Sequence, residues 1–431
     1  MERIPKIRAE GVEGGFRYGV VLWAMLFAFL TYFCMYAVRK PVAAAQFEGV
    51  DAFGGLGLKT AVVIAQLVGY TGSKYLGAAI CSSASRHVRL AWLIGCILAA
   101  ESTLVAFAVL PPLGAVAAFV VNGLCLGLVW GLVVRYLEGR RSSEILLAGL
   151  SCSFIIASGI VKDIGRWVMD PAQWGVSESW MPAVVGALFL VPFVISALAL
   201  DRTPEPEARD IAERTERTPM LRADRHAFIR AFLPGLLLLL GLYILLTVYR
   251  DFRDTFGVEI FDALGYADQP AIFTRVEIPV ALGTVLALGC LSVVHSRRGG
   301  IAAVFGAMIL GLLVVAGATL GWFAGAVSGM WWMLLGGLGL YLVYVPFGSI
   351  LFDRIVASTR HPGNAVFAIM VFDGVGYSAA VIAMLVKDLF ADNASHLEFF
   401  MWLTMAMTII GTVCLVMAWI WFGRRVKESN P

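Results

Sequence analysis

The sequence predicts an all-α polytopic membrane protein, and three observations carry that prediction. Of the 431 residues, 60% are hydrophobic and 15% charged, with a mean hydropathy of +0.83, whereas soluble domains sit at about 45–50% apolar. The apolar residues gather into about twelve runs of roughly 20 residues, the length that crosses a bilayer as a helix. Lys and Arg cluster in short segments between those runs, a pattern that encodes topology. The net charge of +3 is too small to point to nucleic acid.

The first six runs fall near 17–40, 60–82, 88–110, 113–136, 144–168 and 179–200, and the second six near 230–252, 271–294, 300–322, 326–350, 363–388 and 398–422. Most connections are short. The exception, 201–229, begins DRTPEPEARDIAERTERTPMLRADRH, with acids and bases nearly balanced, and reads as a solvated linker with room for one short amphipathic helix. It divides the chain into an N-terminal six-helix bundle (1–200) and a C-terminal one (230–431). The basic start, Arg3 to Arg17, leads into a long apolar run without an A-x-A-like site, so no cleaved signal peptide is expected.

Alternate loops carry Arg3/Lys6/Arg8, Arg86/Arg89, Arg140/Arg141, the linker, Arg297/Arg298, Arg354/Arg360 and Arg424/Arg425/Lys427, and the opposite loops carry almost none. The positive-inside rule then places both termini and the linker in the cytoplasm, in a bacterial inner membrane. The halves also repeat. Tyr32, Tyr36 and Arg39 share the spacing of Tyr243, Thr247 and Arg250, and the same offset carries Arg86 onto Arg297. Two six-helix bundles around a cytoplasmic linker are the plan of a rocker-switch transporter, with its site between the halves.

Ionised side chains inside hydrocarbon cost at least ~2.5–3.5 kcal/mol by insertion scales, so they persist where they line water, pair or bind something. Those to explain are Arg39, Lys40, Lys74, Glu101, Lys162, Asp163, Arg250, Asp251, Arg275, Glu277 and Asp373. Lys162, Asp163 and Arg166 read as snorkelling groups near a helix end. Arg275 reads as interfacial, and Glu101 as paired within its own bundle. Glu277, just before Ile278-Pro279, is either interfacial or exposed to a cavity.

Arg39 and Arg250 each end a repeated polar face on the first helix of a half. The apolar PVAAAQF after Arg39 suggests that this helix runs on. Two guanidiniums facing one cavity favour an anion, because their planar forks match phosphate, phosphonate or carboxylate oxygens. Tyr32, Tyr36 and Tyr243 can donate to the same oxygens, and Lys74 would add a third positive charge. Asp373, in FAIMVFDGVGYSAA, fits three roles: a structural hydrogen bond, a coupling proton, or contact with a substrate ammonium. Asn122-Gly123 and Gly127 suggest a small-residue packing face with Trp130 beside it, while Tyr341, Tyr344 and Pro346 either line a cavity or kink their helix.

The seven cysteines lie in or at the ends of apolar runs, and the five histidines show no ligand spacing, so neither disulfides nor a metal site is expected. No nucleophile–base set, phosphate-cradling loop or ATPase motif is present, so the expectation is a non-enzyme without a cofactor.

Several segments resemble the organophosphate:phosphate antiporters of the major facilitator superfamily, the group of glycerol-3-phosphate and hexose-phosphate transporters. They are YAVRKPVAAAQF (36–47), GYTGSKYLGAAICSSASRHVRL (69–90), TVYRDFRD (247–254), VEIPVALGTVLALG (276–289) and GNAVFAIMVFDGVGY (363–377). The resemblance implies a major facilitator fold and alternating access. It also implies that Arg39 and Arg250 clamp a phosphorus oxyanion with Lys74 nearby. The loop SSASRHVR lacks the acidic–basic pair common in that family, and Asp373 adds a carboxylate. The chain therefore resembles a distinct bacterial branch, with a substrate such as 2-aminoethylphosphonate. The expected partners are a small anionic substrate and the lipid bilayer, for a monomer. The rival readings are a proton-coupled carrier of a carboxylate, amino acid or drug, and a transporter-shaped ligand sensor.

Overall fold

The computed structural model of the chain describes residues 7–83, 86–137, 143–204, 222–292, 294, 297–352, 354–355 and 365–428. These contain twelve long helices: α1 (Ile7–Arg39), α2 (Leu58–Ser83), α3 (Arg86–Val109), α4 (Pro112–Leu137), α5 (Ser143–Met169), α6 (Met181–Asp201), α7 (Arg222–Thr255), α8 (Ile272–Ser292), α9 (Arg297–Phe323), α10 (Gly329–Ser349), α11 (Ala365–Phe390) and α12 (His396–Glu428). Helices α1–α6 pack mainly among themselves, as do α7–α12, and the two bundles meet chiefly along α5 against α8 and α2 against α11. Ten helices are long and apolar enough to cross a membrane. The other two, α2 and α5, are the N-terminal members of those two contact lines.

Helix α1 stops at Arg39, although the apolar PVAAAQF suggested continuation. Pro41 has no N–H to extend the ladder and restricts the residue before it. The chain turns there into a 3-10 segment, Pro41–Ala44. Helix α7, with no proline at the matching place, runs five residues past Arg250 to Thr255. Helix α7 also begins at Arg222, so the end of the expected linker is helical; residues 205–221, with the amphipathic helix expected there, lie outside the described residues. A hairpin between α1 and α2, β1 (Asp51–Phe53) and β2 (Leu56–Gly57), was not expected. Its turn is Gly54-Gly55, both at positive φ, as tight hairpin turns require.

Small residues set the tightest helix crossing. A Cβ on Gly69 of α2 would lie 2.1 Å from the Val120 carbonyl oxygen of α4, and one on Gly123 would lie 2.1 Å from that of Gln66. Backbones this close admit only glycine. Cys34, Cys96, Cys125, Cys290 and Cys414 are in no disulfide; the side chains of Cys81 and Cys152 lie outside the described residues.

Candidate functional site

Between the bundles lies a cavity of about 250 Å³. Its N-terminal wall comes from α1, α2, α4 and α5, and its C-terminal wall from α7, α10 and α11. Of the residues named as substrate or coupling contacts, Tyr32, Tyr36, Arg39, Tyr243, Arg250 and Asp373 line it, and so do Lys40, Trp130, Asp251, Tyr341 and Tyr344. Their convergence follows from helical spacing, since positions i, i+4 and i+7 share one face.

Arg39 is 6% exposed. Its guanidinium lies 4.2 Å from the Tyr70 ring centre and donates from Nη1 to the Tyr36 hydroxyl at 3.4 Å. Among the described residues no carboxylate pairs with it, and its buried Nε has no hydrogen-bond partner. The α1 terminus is held from behind. Gln66 donates to the Arg39 carbonyl at 3.0 Å and to Asn122 Oδ1 at 2.8 Å, and Asn122 donates to Thr103 and to the Ala100 carbonyl. This buried amide chain satisfies a helix-end carbonyl and locks α1, α2, α3 and α4 together behind the arginine.

Arg250 faces the cavity from the opposite wall in a different state. Its Nε and Nη2 donate to Asp251 Oδ1 at 2.9 and 2.7 Å, and its Nη1 donates to the Tyr344 hydroxyl. The guanidinium lies 4.4 Å from the Tyr344 ring centre and 5.6 Å from that of Tyr377. Tyr70 and Tyr377 meet edge-on at 6.3 Å. The two arginines are thus the ends of a chain, Arg39–Tyr70–Tyr377–Arg250, that crosses between the bundles. On the C-terminal wall, the Tyr243 hydroxyl donates to Asp373 and lies 3.3 Å from the Tyr344 hydroxyl. Trp130 packs 4.9 Å from Tyr32.

The cavity ends in a charged closure. Asp254 of α7 accepts from Lys40 at the end of α1 and from Ser158 and Lys162 of α5, with Lys162 at 2.8 Å. Beyond it, Lys59 meets Glu259 at 2.7 Å, Gln46 donates to Asp262, and Arg166 donates to the Ala267 carbonyl. Asp163 accepts from the Phe273 and Thr274 amides at 3.3 and 2.6 Å, at the start of α8, where a carboxylate suits the helix dipole. These hydrogen bonds and ion pairs all join the bundles on the side remote from the linker. Asp262 sits in a short helix, Gly257–Ala263. Burial pushes its carboxyl above the usual carboxylate range, and Arg166 and Gln46 oppose that shift.

Several expectations are corrected here. Lys162 does not snorkel: it is 2% exposed and held by Asp254. Glu277 does not line the cavity, because Arg253 binds it at 2.6 Å within the C-terminal bundle. Glu101 has no internal partner for Oε2; it is buried against Gly186 of α6, where a Cβ would lie 2.0 Å from that oxygen. The side chain of Lys74 lies outside the described residues. Reasoning from sequence missed Tyr70, Tyr377 and Asp254 as site groups, and marked Asp251 only as a charge to be explained. Tyr70 lies one turn before Lys74, and the charged cluster Arg250-Asp251-x-x-Asp254 was the available sign of a carboxylate at the cavity.

The model of a family of unknown function, DUF5690, matches residues 41–425. No curated protein matches. Among solved structures, the chain resembles the inward-open xylose transporter XylE from E. coli, with a TM-score of 0.61 and 13% identity over 93% of this chain and 95% of that one. A structure of a proton dependent oligopeptide transporter aligns with a TM-score of 0.62 and 12% identity, over 95% of this chain and 100% of that one. The nucleoside transporter NupG aligns with a TM-score of 0.59 and 13% identity, over 94% and 99%. These likenesses establish the major facilitator fold.

Proposed function

The chain belongs to the DUF5690 family, and on that premise we propose that it is a secondary transporter moving a small organophosphorus anion by alternating access. The observation that carries this reading is Arg39, a buried guanidinium facing a cavity between two bundles with no carboxylate paired to it among the described residues. A buried charge is costly until it is paired, and a planar fork suits a tetrahedral oxyanion. Arg39 binds the anion, Arg250 supplies the second fork, and Tyr36 and Tyr70 orient the first. The solved structures of similar fold are named for carriers of a sugar, peptides and nucleosides, which supports carriage of a small molecule without choosing it.

Tyr243 lies two helical turns from Arg250, about 10 Å along α7 at 1.5 Å per residue, and binds Asp373 there. That separation suits a substrate with an oxyanion at one end and an ammonium at the other, as in 2-aminoethylphosphonate. With the termini and linker cytoplasmic, as the basic loops indicate, the Asp254 closure lies on the outer side and the state is inward-facing.

Thermal stabilisation of the purified protein tests the reading. The panel holds inorganic phosphate, glycerol phosphate, hexose phosphates, 2-aminoethylphosphonate, carboxylates and amino acids. A ligand of the folded state at 100 times its Kd stabilises by about 2.7 kcal/mol. The expected result is a shift from a phosphorus compound that vanishes in Arg39→Gln. Shifts from carboxylates or amino acids alone would refute the organophosphorus assignment.

A further inference from the structure

Resting on the anion site just described, we propose that Asp251 is the coupling-proton site of this protein, and that its protonation releases Arg250 to the substrate. Three carboxylates line the cavity, Asp251, Asp254 and Asp373, and a fourth, Glu277, lies beyond it. Asp254 is held by two ammonium groups and a hydroxyl from the opposite bundle, so its charge serves closure. Asp373 is bound by the Tyr243 hydroxyl, two helical turns along α7 from Arg250. Glu277 is engaged by Arg253 away from the cavity.

Asp251 differs from all three. One oxygen, Oδ1, takes both the Nε and Nη2 donors of Arg250. Those are two of the donors that an incoming oxyanion would use. The other oxygen, Oδ2, is buried with no hydrogen-bond partner, yet the residue lines the cavity. An ionised carboxylate leaves Arg250 neutralised, and a substrate anion must compete with it at a distance of one residue. A hydronium ion in the open cavity gives up a proton: one of its O–H bonds breaks as the Oδ2–H bond forms, and neutral water is left behind. The neutral acid then holds Arg250 weakly, and Arg39 and Arg250 together face the substrate with two uncompensated positive charges. When the cavity opens to the other side, loss of that proton to water restores the Arg250–Asp251 pair and displaces the anion. Proton and anion therefore bind together and leave together.

The groups facing Asp251 favour this linkage. On α7 these are Arg250 and Asp254; Lys40 approaches from the end of α1 and is tied to Asp254 together with Lys162 of α5. Tyr344 of α10 holds the remaining Nη1 of Arg250, and Tyr377 and Asp373 complete the wall on α11. No second cation bonds to Asp251 among the described residues, and Lys40 acts on it through its charge alone.

The test uses the full-length protein with inorganic phosphate as the probe. Calorimetry gives phosphate affinity for the unsubstituted protein and for Asp251→Asn between about pH 4 and pH 8. Their ratio at each pH cancels the titration of phosphate itself. One linked proton makes the ratio rise in favour of the unsubstituted protein by up to about tenfold per unit fall in pH across its titration. A ratio constant across the range overturns the proposal. An infrared difference spectrum keeps the test open should Asp251→Asn fail to fold. Phosphate should induce a carboxylic-acid C=O band in the unsubstituted protein, and Asp251→Glu should move it. Phosphate binding without such a band also overturns the proposal. Should the unsubstituted protein bind phosphate no better than Arg39→Gln at any pH, the anion site itself fails, and the proton proposal falls with it.

Discussion

Arg39 and Arg250 face one cavity from opposite bundles, yet a carboxylate of the described residues holds only Arg250. The repeat places Tyr32, Tyr36 and Arg39 in register with Tyr243, Thr247 and Arg250, but the neighbours break the symmetry. Asp251 follows Arg250 and binds it, whereas Lys40 follows Arg39 and turns away to Asp254. The uncompensated charge is therefore confined to the N-terminal wall.

Arg39→Lys should weaken phosphate binding by roughly 10- to 100-fold, the effect of losing charge-assisted hydrogen bonds worth about 1.5–3 kcal/mol. Without ligand, Arg39→Gln should melt no lower than the unsubstituted protein, because it removes a buried charge that lacks an ionic partner. Calorimetric titration and a melting curve on each variant check the two halves of this prediction.

Glu277→Gln should do the opposite. It strands Arg253, 4% exposed, and removing one partner of a buried pair costs about 3–5 kcal/mol. Phosphate affinity should stay within about twofold, since Glu277 lies outside the cavity. A melting temperature equal to that of the unsubstituted protein would count against the buried pair.

Asp254→Asn should loosen the closure by freeing Lys40 and Lys162. Spin labels on the exposed positions Glu48→Cys and Asp268→Cys, with Cys290→Ser, report the separation of the two bundles at this end. Each 1.4 kcal/mol of lost closure shifts the open-to-closed ratio about tenfold. A longer-distance population should grow by at least that factor. An unchanged distance distribution would show that Asp254 does not hold the closure.

Asp262 gives a pH dependence whose sign is fixed. Its folded-state carboxyl titrates above its unfolded value because of burial, so the folded state binds the proton more tightly. Stability is then lost as pH rises from the usual carboxylate value through the raised one. Asp262→Asn keeps an oxygen for Gln46 and removes this loss. It should melt higher than the unsubstituted protein at neutral pH, with the difference vanishing in acid. A difference that is constant with pH would contradict the assignment.

Much of the architecture was legible in the sequence because bilayer physics is one-dimensional. Length and hydropathy located the twelve helices, and the repeat located Arg39 and Arg250. The carboxylates were harder to place. Asp254 follows Arg250 by one turn, and its partners Lys40 and Lys162 lie far away in sequence, so a cross-bundle ion pair leaves no local signature. Glu277 and Lys162 looked alike as charges near helix ends, yet one is paired within a bundle and the other between bundles. Tyr70 and Tyr377 carry no local signature of a site, and only the meeting of α2 and α11 brings them together. The end of α1 was misjudged because apolar composition outweighed Pro41, whose missing N–H decides the matter.

Flux is the most direct test of the central claim. Uptake of labelled inorganic phosphate and of labelled 2-aminoethylphosphonate would be measured in proteoliposomes under an inward proton gradient, for the unsubstituted protein, Arg39→Gln and Glu277→Gln. The account predicts uptake of a phosphorus compound by the unsubstituted protein, retained by Glu277→Gln wherever that variant stays folded, and abolished by Arg39→Gln. Uptake by Arg39→Gln at the unsubstituted rate, or binding of both compounds without flux of either, would contradict it.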